Sequence, residues 1–353
     1  MTDGEGHTRQ LAELRAADAA AFGGKSAGLG ELIAAGIPVP PGFALATTAF
    51  GAFIEGAGLA DRIQSAVSGL SPGDLDRVNA VSKSIGEGMR SAPVPESVRS
   101  EVARRYAELS DDAEPPVAVR SSALGEDSQD ATFAGQQETY LWVRGAEGVS
   151  DAVRDCWVSL YSAPAMTYRA RMGSAGEAPA MGVTVQLMVD AEISGVMFTC
   201  NPVSGDPSMV AVNASWGLGL AVVGGEVTPD DYLVSKVTRE VVRQTVADKH
   251  IEYVASAGGR GAVRSEVPHE RREAPCLDEG QLAELVEVAR RVERHFGCHQ
   301  DIEWAIGRDR ELFVVQSRPV TAVAKPASAG KPESAISLVM STFGAAGGGA
   351  GRA

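Results

Sequence analysis

Two cations stand at positions suited to holding a polyphosphate. Lys25 follows two glycines and precedes a helix-like run, so its ammonium lies beside the free backbone amides of a helix start. Arg120 ends a short apolar strand, and its planar guanidinium matches phosphate oxygens and stays charged at any relevant pH. A solvated lysine at a turn, or an arginine paired with Glu126 or Asp127, is the simpler interpretation of each residue alone.

A second group lies near the end of the chain, between Asp301 and Thr321. Two short strands, 302–306 and 312–316, are predicted to form a hairpin around the polar turn 307–310. This pairing would set Glu303 and Gln316 side by side on one face, with Arg318 two residues further along the same face. Two oxygen donors in that arrangement suit Mg²⁺, which takes one or two carboxylates together with phosphate oxygens.

Composition limits the other functions that the chain could have. Its 353 residues carry a net charge of −14, which argues against a general nucleic-acid-binding protein. No apolar run is long enough for a membrane span, and the polar N-terminus does not have the pattern of a secretory signal. The 4 cysteines are widely spaced, which argues against a disulfide framework. We therefore expect a cytoplasmic protein that binds neither membrane nor nucleic acid.

The segment 117–140, VAVRSSALGEDSQDATFAGQQETY, gives the central loop a family context. It resembles a segment in the nucleotide-binding domain of the phosphoenolpyruvate synthase and pyruvate phosphate dikinase family. Rifampin phosphotransferases and the ATP-binding subunit of phenylphosphate synthase are similar to it. The glycine-rich turn at Lys25, the VQ…SGV…FT…NP pattern after residue 184 and the DIEW…QSRP pattern follow the family in order, from about residue 23 to 321.

The resemblance implies ATP and Mg²⁺ as cofactors and assigns roles to individual residues. Lys25, Arg120 and Arg318 would act in catalysis, and Glu303 and Gln316 would bind the metal ion. The ATP-binding set that the resemblance implies is Lys25, Arg120, Ser121, Gly135, Gln136, Gln186, Met188, Val189, Glu303, Gln316 and Arg318.

The expected fold class is α/β (α+β), ATP-grasp-like, with two lobes and the nucleotide in the cleft between them. We predict an N-terminal lobe over 1–178, a C-terminal lobe over 179–323 and a flexible tail over 324–353. Helices are predicted within 47–110, 151–171 and 281–296. The strand-like runs 180–189 and 193–199 flank a polar triplet that is predicted to be a hairpin turn.

The resemblance implies a phosphotransferase subunit of dikinase type, with AMP as the final nucleotide product. None of the 5 histidines lies in the family's phosphohistidine motif, so we expect a separate subunit to carry the phosphohistidine and the small-molecule substrate site. Leu220 stands where the family usually has a glutamate. This departure keeps open a catalytically impaired regulatory or scaffold subunit, and an excised domain of a longer pyruvate or antibiotic phosphotransferase is a further alternative.

Overall fold

The computed structural model describes residues 6–71, 73–112, 114–123, 138–171 and 179–320. The chain divides into two compact units. The first comprises residues 1–30, 41–188 and 259–261, and the second comprises residues 31–40, 189–258 and 262–353. No helix in the described part of the chain has both the length and the apolar character needed to cross a membrane.

The described chain combines helices with antiparallel sheets, which confirms the expected α+β class. The helices are α1 (Ala19–Phe22), α2 (Gly24–Ala34), α3 (Thr47–Gly56), α4 (Ala60–Val67), α5 (Leu75–Ser91), α6 (Glu96–Ala107), α7 (Ala146–Ser159), α8 (Ala163–Arg171), α9 (Leu220–Val223), α10 (His269–Arg272) and α11 (Glu279–Phe296). The strands are β1 (Thr8–Gln10), β2 (Gly42–Leu45), β3 (Val117–Ala123), β4 (Thr139–Val143), β5 (Met181–Leu187), β6 (Ala191–Phe198), β7 (Met209–Trp216), β8 (Asp230–Ser235), β9 (Val241–Thr245), β10 (Ile251–Ala255), β11 (Ala262–Glu266), β12 (Gln300–Gly307) and β13 (Leu312–Pro319).

The first unit contains an antiparallel sheet with strand order β1-β2-β5-β3-β4. Alternate residues of its strands point to opposite faces, as the period of two requires. One face is apolar and packs on helices, with Val119 and Val185 as register partners in its core. Trp157 of α7 lies in this core with its ring 5.3 Å from that of Phe53, so the prediction that it is a core residue is confirmed.

The second unit contains an antiparallel sheet with strand order β13-β12-β6-β7-β8-β9, together with the separate pair β10-β11. Helix α11 begins at a capping box, in which Asp278 accepts a hydrogen bond from the backbone nitrogen of Gln281. It ends at Gly297, whose φ of 69° is the left-handed conformation that glycine adopts at low cost. Its apolar side packs against β12, as the periodicity of 281–296 predicts.

The predicted hairpin between 180–189 and 193–199 is wrong. β5 pairs with β2 and β3 in the first unit, whereas β6 pairs with β7 and β12 in the second. The triplet Asp190–Glu192 therefore leads from one sheet to another. The lobe boundary predicted at residues 178 and 179 assigns β5 to the C-terminal lobe, while the sheet pairing places β5 with the N-terminal strands.

A buried ion pair organises one end of the second sheet. Lys249 and Asp230 are both fully buried, and Lys249 Nζ donates to Asp230 Oδ1 at 2.5 Å and to the carbonyl oxygen of Ala247 at 2.8 Å. Asp230 Oδ2 also accepts from the backbone nitrogen of Cys276 at 2.8 Å and from the Tyr232 hydroxyl at 3.2 Å. These contacts connect β8 to two segments that are distant in sequence.

Replacing Lys249 with methionine should strongly destabilise the second unit, because the Asp230 carboxylate would stay buried without its cation. We expect a loss of about 3 kcal/mol or more in unfolding free energy, measured by urea denaturation. Lys83→Met is the matched control, since this lysine is 79% exposed and its contact with Glu87 is 4.0 Å long. Equal unfolding midpoints for the two variants would contradict the role assigned to Lys249.

Candidate functional site

Close backbone packing fixes the start of α2, where Lys25 lies. Gly23 has a φ of 83°, and a Cβ atom at this position would lie 2.1 Å from the carbonyl oxygen of Ser122 in β3. Gly182 in β5 is equally restricted, because a Cβ there would lie 2.2 Å from the carbonyl oxygen of Phe22. The chain before α2 therefore rests directly on two strands of the first sheet.

Lys25 is positioned against β3 by this packing. Its side chain is only 7% exposed, and Nζ donates to the carbonyl oxygen of Ser121 at 3.0 Å. The hydroxyl of the next residue, Ser26, lies 2.7 Å from Thr184 Oγ1 on β5 and 3.4 Å from Ser122 Oγ on β3. Sequence reasoning missed these hydroxyl contacts, which attach the first turn of α2 to the sheet.

Arg120 lies on the polar face of the same sheet. It is the register partner of Thr184, and Ala118 two residues earlier is the partner of Gln186. Arg120, Thr184 and Gln186 therefore share the face that carries Ser122, opposite the apolar core. Gln186 is buried and Arg120 is half-buried, so the structure brings these two predicted residues together with the start of α2.

The remaining predicted residues of the first group are placed differently. Ser121 points to the opposite face from Arg120, and its hydroxyl accepts a hydrogen bond from the backbone nitrogen of Glu138 at 3.2 Å. Met188 is half-buried and donates its backbone N–H to the carbonyl oxygen of Pro116 at 2.9 Å, while Val189 follows it in the second unit. Gly135 and Gln136 lie outside the described residues.

The second group forms on the β12–β13 hairpin. Glu303 pairs with Gln316, and Asp301 pairs with Arg318, so four polar side chains share one face of two neighbouring strands. The predicted hairpin and the side-by-side placement of Glu303 and Gln316 are confirmed. The metal and phosphate roles of these residues stay predictions at this point.

Asp301 is the residue that sequence reasoning missed. It is 5% exposed, and its Oδ2 accepts from Arg318 Nε at 2.9 Å and lies 2.9 Å from Nη2. Burial raises the pKa of Asp301 to about 6; the Arg318 guanidinium acts in the opposite direction, and Glu303 adds to the rise. The signal was present in the sequence, because Asp301 stands two residues before Glu303 and directly before the predicted strand 302–306.

The chemistry of these side chains fits a hard divalent cation. Asp301 Oδ1 is buried and has no hydrogen-bond partner among the residues that the structure describes. It lies on the same face as the Glu303 carboxylate and the Gln316 amide, which are oxygen ligands of the kind Mg²⁺ prefers. Within the described ranges, no cluster of three or more His, Cys, Asp or Glu side chains could hold a metal by itself. Ligand oxygens such as those of a phosphate would have to complete the shell.

Comparison with known proteins assigns the chain to a family. Residues 19–336 match the family described as "Pyruvate phosphate dikinase, AMP/ATP-binding domain". The chain belongs to this family. Its membership supports ATP binding and ATP-dependent phosphotransfer, and it confirms the family that the central loop resembles.

Relatives of this AMP/ATP-binding domain include two phosphoenolpyruvate synthases. The probable enzyme of Methanothermobacter thermautotrophicus is 42% identical over 314 residues, which cover 88% of this chain and 45% of the relative. The enzyme of Pyrococcus furiosus is 37% identical over 384 residues, covering 96% of this chain and 47% of the relative. The chain thus spans less than half the length of either relative.

Solved structures add little to this comparison. D-alanyl-alanine synthetase A from Vibrio cholerae is 10% identical, with a TM-score of 0.27, and the match covers 68% of this chain and 54% of that chain. D-cycloserine synthetase DcsG is 12% identical, with a TM-score of 0.25 and coverage of 84% and 60%. Likeness at this level carries no argument about the site.

The glycine-rich segment of this AMP/ATP-binding domain is held by contacts within the second unit. Gly217 has a φ of 72°, its N–H donates to the carbonyl oxygen of Glu192 at 2.9 Å, and its own carbonyl oxygen accepts from Ser194 Oγ at 2.6 Å. A Cβ at Gly217 would lie 2.5 Å from the carbonyl oxygen of Tyr253. Leu220, which is half-buried, then begins α9.

Gly23→Ala should disturb the start of α2, because the new Cβ adds a clash with Ser122 to a strained left-handed backbone. We expect unfolding free energy to fall by about 2–4 kcal/mol, measured by chemical denaturation. Gly145→Ala separates the two causes, since Gly145 has a φ of 77° and a ψ of 143°, close to the 83° and 160° of Gly23, and only the flexible Glu114 side chain near its Cβ position. Only the backbone strain, about 1 kcal/mol, should appear in that control. Equal losses would exclude close packing as the reason for Gly23.

Proposed function

We propose that the chain is the nucleotide-binding part of a dikinase-type phosphotransferase, which transfers phosphoryl groups from Mg-ATP to a histidine and leaves AMP. The observation that carries this proposal is the β12–β13 face, where Asp301, Glu303, Gln316 and Arg318 lie together in register. Oxygen donors suited to a metal ion and a cation suited to phosphate are thus adjacent on one hairpin. Membership of the AMP/ATP-binding domain family supports ATP as the bound nucleotide.

Charge neutralisation is the main task that these side chains would perform. Phosphoryl transfer depends largely on positioning and electrostatic stabilisation, and the attacking group needs little help from a general base in this domain. Lys25, Arg120 and Arg318 supply three positive charges for the phosphate oxygens. A cation held by Glu303, Gln316 and Asp301 would offset further phosphate charge. The Arg318–Asp301 ion pair limits the motion of the Arg318 guanidinium before a phosphate binds.

The Lys25 contact makes the first unit suited to the same task. Its ammonium is already held against the carbonyl oxygen of Ser121, one residue after Arg120. An ammonium fixed in this way loses less side-chain entropy when it binds phosphate than a freely rotating one. The buried hydroxyls of Ser26 and Thr184 keep the helix that carries Lys25 in place.

A histidine acceptor on a separate polypeptide completes the proposal. Formation of AMP requires that two phosphoryl groups leave ATP, one for the organic substrate and the other for water or orthophosphate. Of the five histidines, His295 and His299 bond the carboxylates of Glu31 and Glu293. The partner would also carry the small-molecule substrate site. A histidine domain within a longer version of the same protein is the alternative that the labelling experiment distinguishes.

A second candidate function, a nucleotide-sensing regulatory subunit, is favoured by Leu220. An apolar side chain there cannot supply the charge of the glutamate that is usual in the family. Such a subunit would bind Mg-ATP but would not label any acceptor.

Arg120→Ala should reduce labelling of the acceptor by more than about 100-fold, because it removes a preorganised positive charge from the phosphate site. The measurement incubates the chain and β-³²P-ATP with candidate histidine-domain proteins, and follows the acid-labile label. Arg239→Ala is the control, since Arg239 is 58% exposed in a surface ion pair with Glu287. Undiminished labelling by Arg120→Ala would refute its role. ATP binding without labelling of any acceptor would favour the sensor.

Glu303→Gln should weaken the binding of Mg-ATP by about 10–100-fold, because the isosteric amide is a poorer ligand for Mg²⁺ than a carboxylate. Calorimetry would compare titrations with Mg-ATP against titrations with ATP in EDTA, where the variant and the original chain should agree. Glu240→Gln, at an exposed position, serves as the matched control. An equal loss of affinity in EDTA would assign Glu303 to the fold and not to the metal.

A further inference from the structure

A separate cavity of about 180 Å³ lies in the first unit, between α5, α7 and β4. Tyr140, which lines it, is the register partner of the core residue Val119. The cavity therefore lies on the face of the sheet opposite Arg120, and it shares no lining side chain with the candidate site described above. An engineered apolar cavity of about 150 Å³ holds benzene, so this volume suits a ligand of about five to eight non-hydrogen atoms.

Gly86 in the middle of α5 lines this cavity. A glycine in a helix interior costs about 1 kcal/mol relative to alanine, so its position calls for a reason. A Cβ at this residue would lie 3.2 Å from Arg90 Nη1 and 3.5 Å from Val158 Cγ1, two other lining residues. A larger side chain would therefore extend into the cavity.

The cavity lining carries two cations, Lys83 and Arg90, and two carboxylates, Asp155 and Glu138, so the ammonium group of a small ligand would have a carboxylate to pair with. Arg90 Nε donates to Asp155 Oδ1 at 3.1 Å, which leaves the carboxylate of Glu138 as a second negative group in the wall. Although Glu138 is an exposed residue, partial desolvation of its carboxyl raises its pKa; the nearby Asp155 acts in the same direction, and Arg90 acts in the opposite one. Lys83 stands at the rim, where its side chain is 79% exposed.

Two aromatic rings complete the inner wall. Tyr140 and Tyr161 both line the cavity, and the Arg169 guanidinium lies over the Tyr161 ring, 5.7 Å from its centre. From the volume and from the Glu138 carboxylate beside the Arg90–Asp155 pair, we infer that the cavity binds a small primary ammonium compound. A carboxylate on the same ligand would lie toward Lys83 at the rim, so amino acids and simple amines share the required chemistry.

The cavity is joined to the candidate phosphate-binding residues through Glu138. The backbone N–H of Glu138 donates to Ser121 Oγ at 3.2 Å, and its carbonyl oxygen accepts from the Ser121 N–H at 3.1 Å. The carbonyl oxygen of Ser121 in turn accepts a hydrogen bond from Lys25 Nζ, and Ser121 directly follows Arg120 in the chain. An ammonium compound that holds Glu138 therefore changes the affinity of the chain for ATP. This coupling, unlike the binding itself, rests on the proposed function.

Calorimetry with three probes that share a four-carbon chain tests the binding. Butylammonium and 4-aminobutyrate should bind the full chain with millimolar affinity or better, whereas butyrate should not. Glu138→Gln and Gly86→Val should each weaken amine binding at least tenfold, and Glu87→Gln, outside the lining, should leave it unchanged. If the natural ligand is an amino acid, Lys83→Met should weaken the binding of 4-aminobutyrate only. If the natural ligand is a simple amine, this substitution should change the binding of neither amine probe.

Clear results would overturn the inference. One such result is no amine binding at about ten times the millimolar concentration expected to suffice. Equal binding of butyrate would be another, and amine binding by Glu138→Gln as tight as that of the original chain would be a third. The binding result for Gly86→Val counts only if the circular dichroism spectrum of this variant matches that of the original chain. The result for Glu138→Gln tests the inference without that condition.

The coupling is measured by titrating Mg-ATP with and without saturating butylammonium. We expect at least a threefold change in ATP affinity that disappears in Glu138→Gln, and the same factor for amine affinity in the presence of ATP. Arg120→Ala should lose ATP binding yet keep amine binding, so failure of the proposed function is distinguished from failure of the cavity. Amine binding that leaves ATP affinity unchanged would overturn the coupling.

Discussion

The pairing of Asp301 with Arg318 is the interaction on which the β12–β13 face depends. A carboxylate that is 95% removed from solvent is expensive unless a cation and hydrogen bonds compensate for its desolvation, and Arg318 supplies both. The pair also fixes the register of two strands, because a slip by one residue would turn both side chains to the opposite face. Glu303 and Gln316 are adjacent as a consequence of that register.

In the first unit, close contact between uncharged backbone groups positions the candidate residue Lys25. Gly23 and Gly182 allow the residues before α2 to touch the strands without intervening side chains, and this approach places Lys25 beside Ser121. The two groups of candidate residues are therefore held by different physics. One depends on electrostatic compensation within a hairpin, and the other depends on the absence of Cβ atoms.

Features set by local sequence were predictable, and those set by distant partners were not. The hairpin that aligns Glu303 with Gln316 follows from alternation and a short polar turn, and α11 follows from its periodicity and cap. The contact between Ser26 and Thr184 joins residues 158 positions apart, so no local pattern reveals it. The strands β5 and β6 were joined in a predicted hairpin for the same reason, because only their long-range partners assign them to different sheets.

The buried pair of Lys249 and Asp230 gives the second unit an unusual response to heat. Hydration of charged groups becomes less favourable as temperature rises, so the cost of keeping these two ions away from water declines on warming. Burial of apolar side chains contributes a benefit that levels off over the same range. The share of the second unit's stability that comes from this pair should therefore grow with temperature, which makes it an internal support against thermal unfolding.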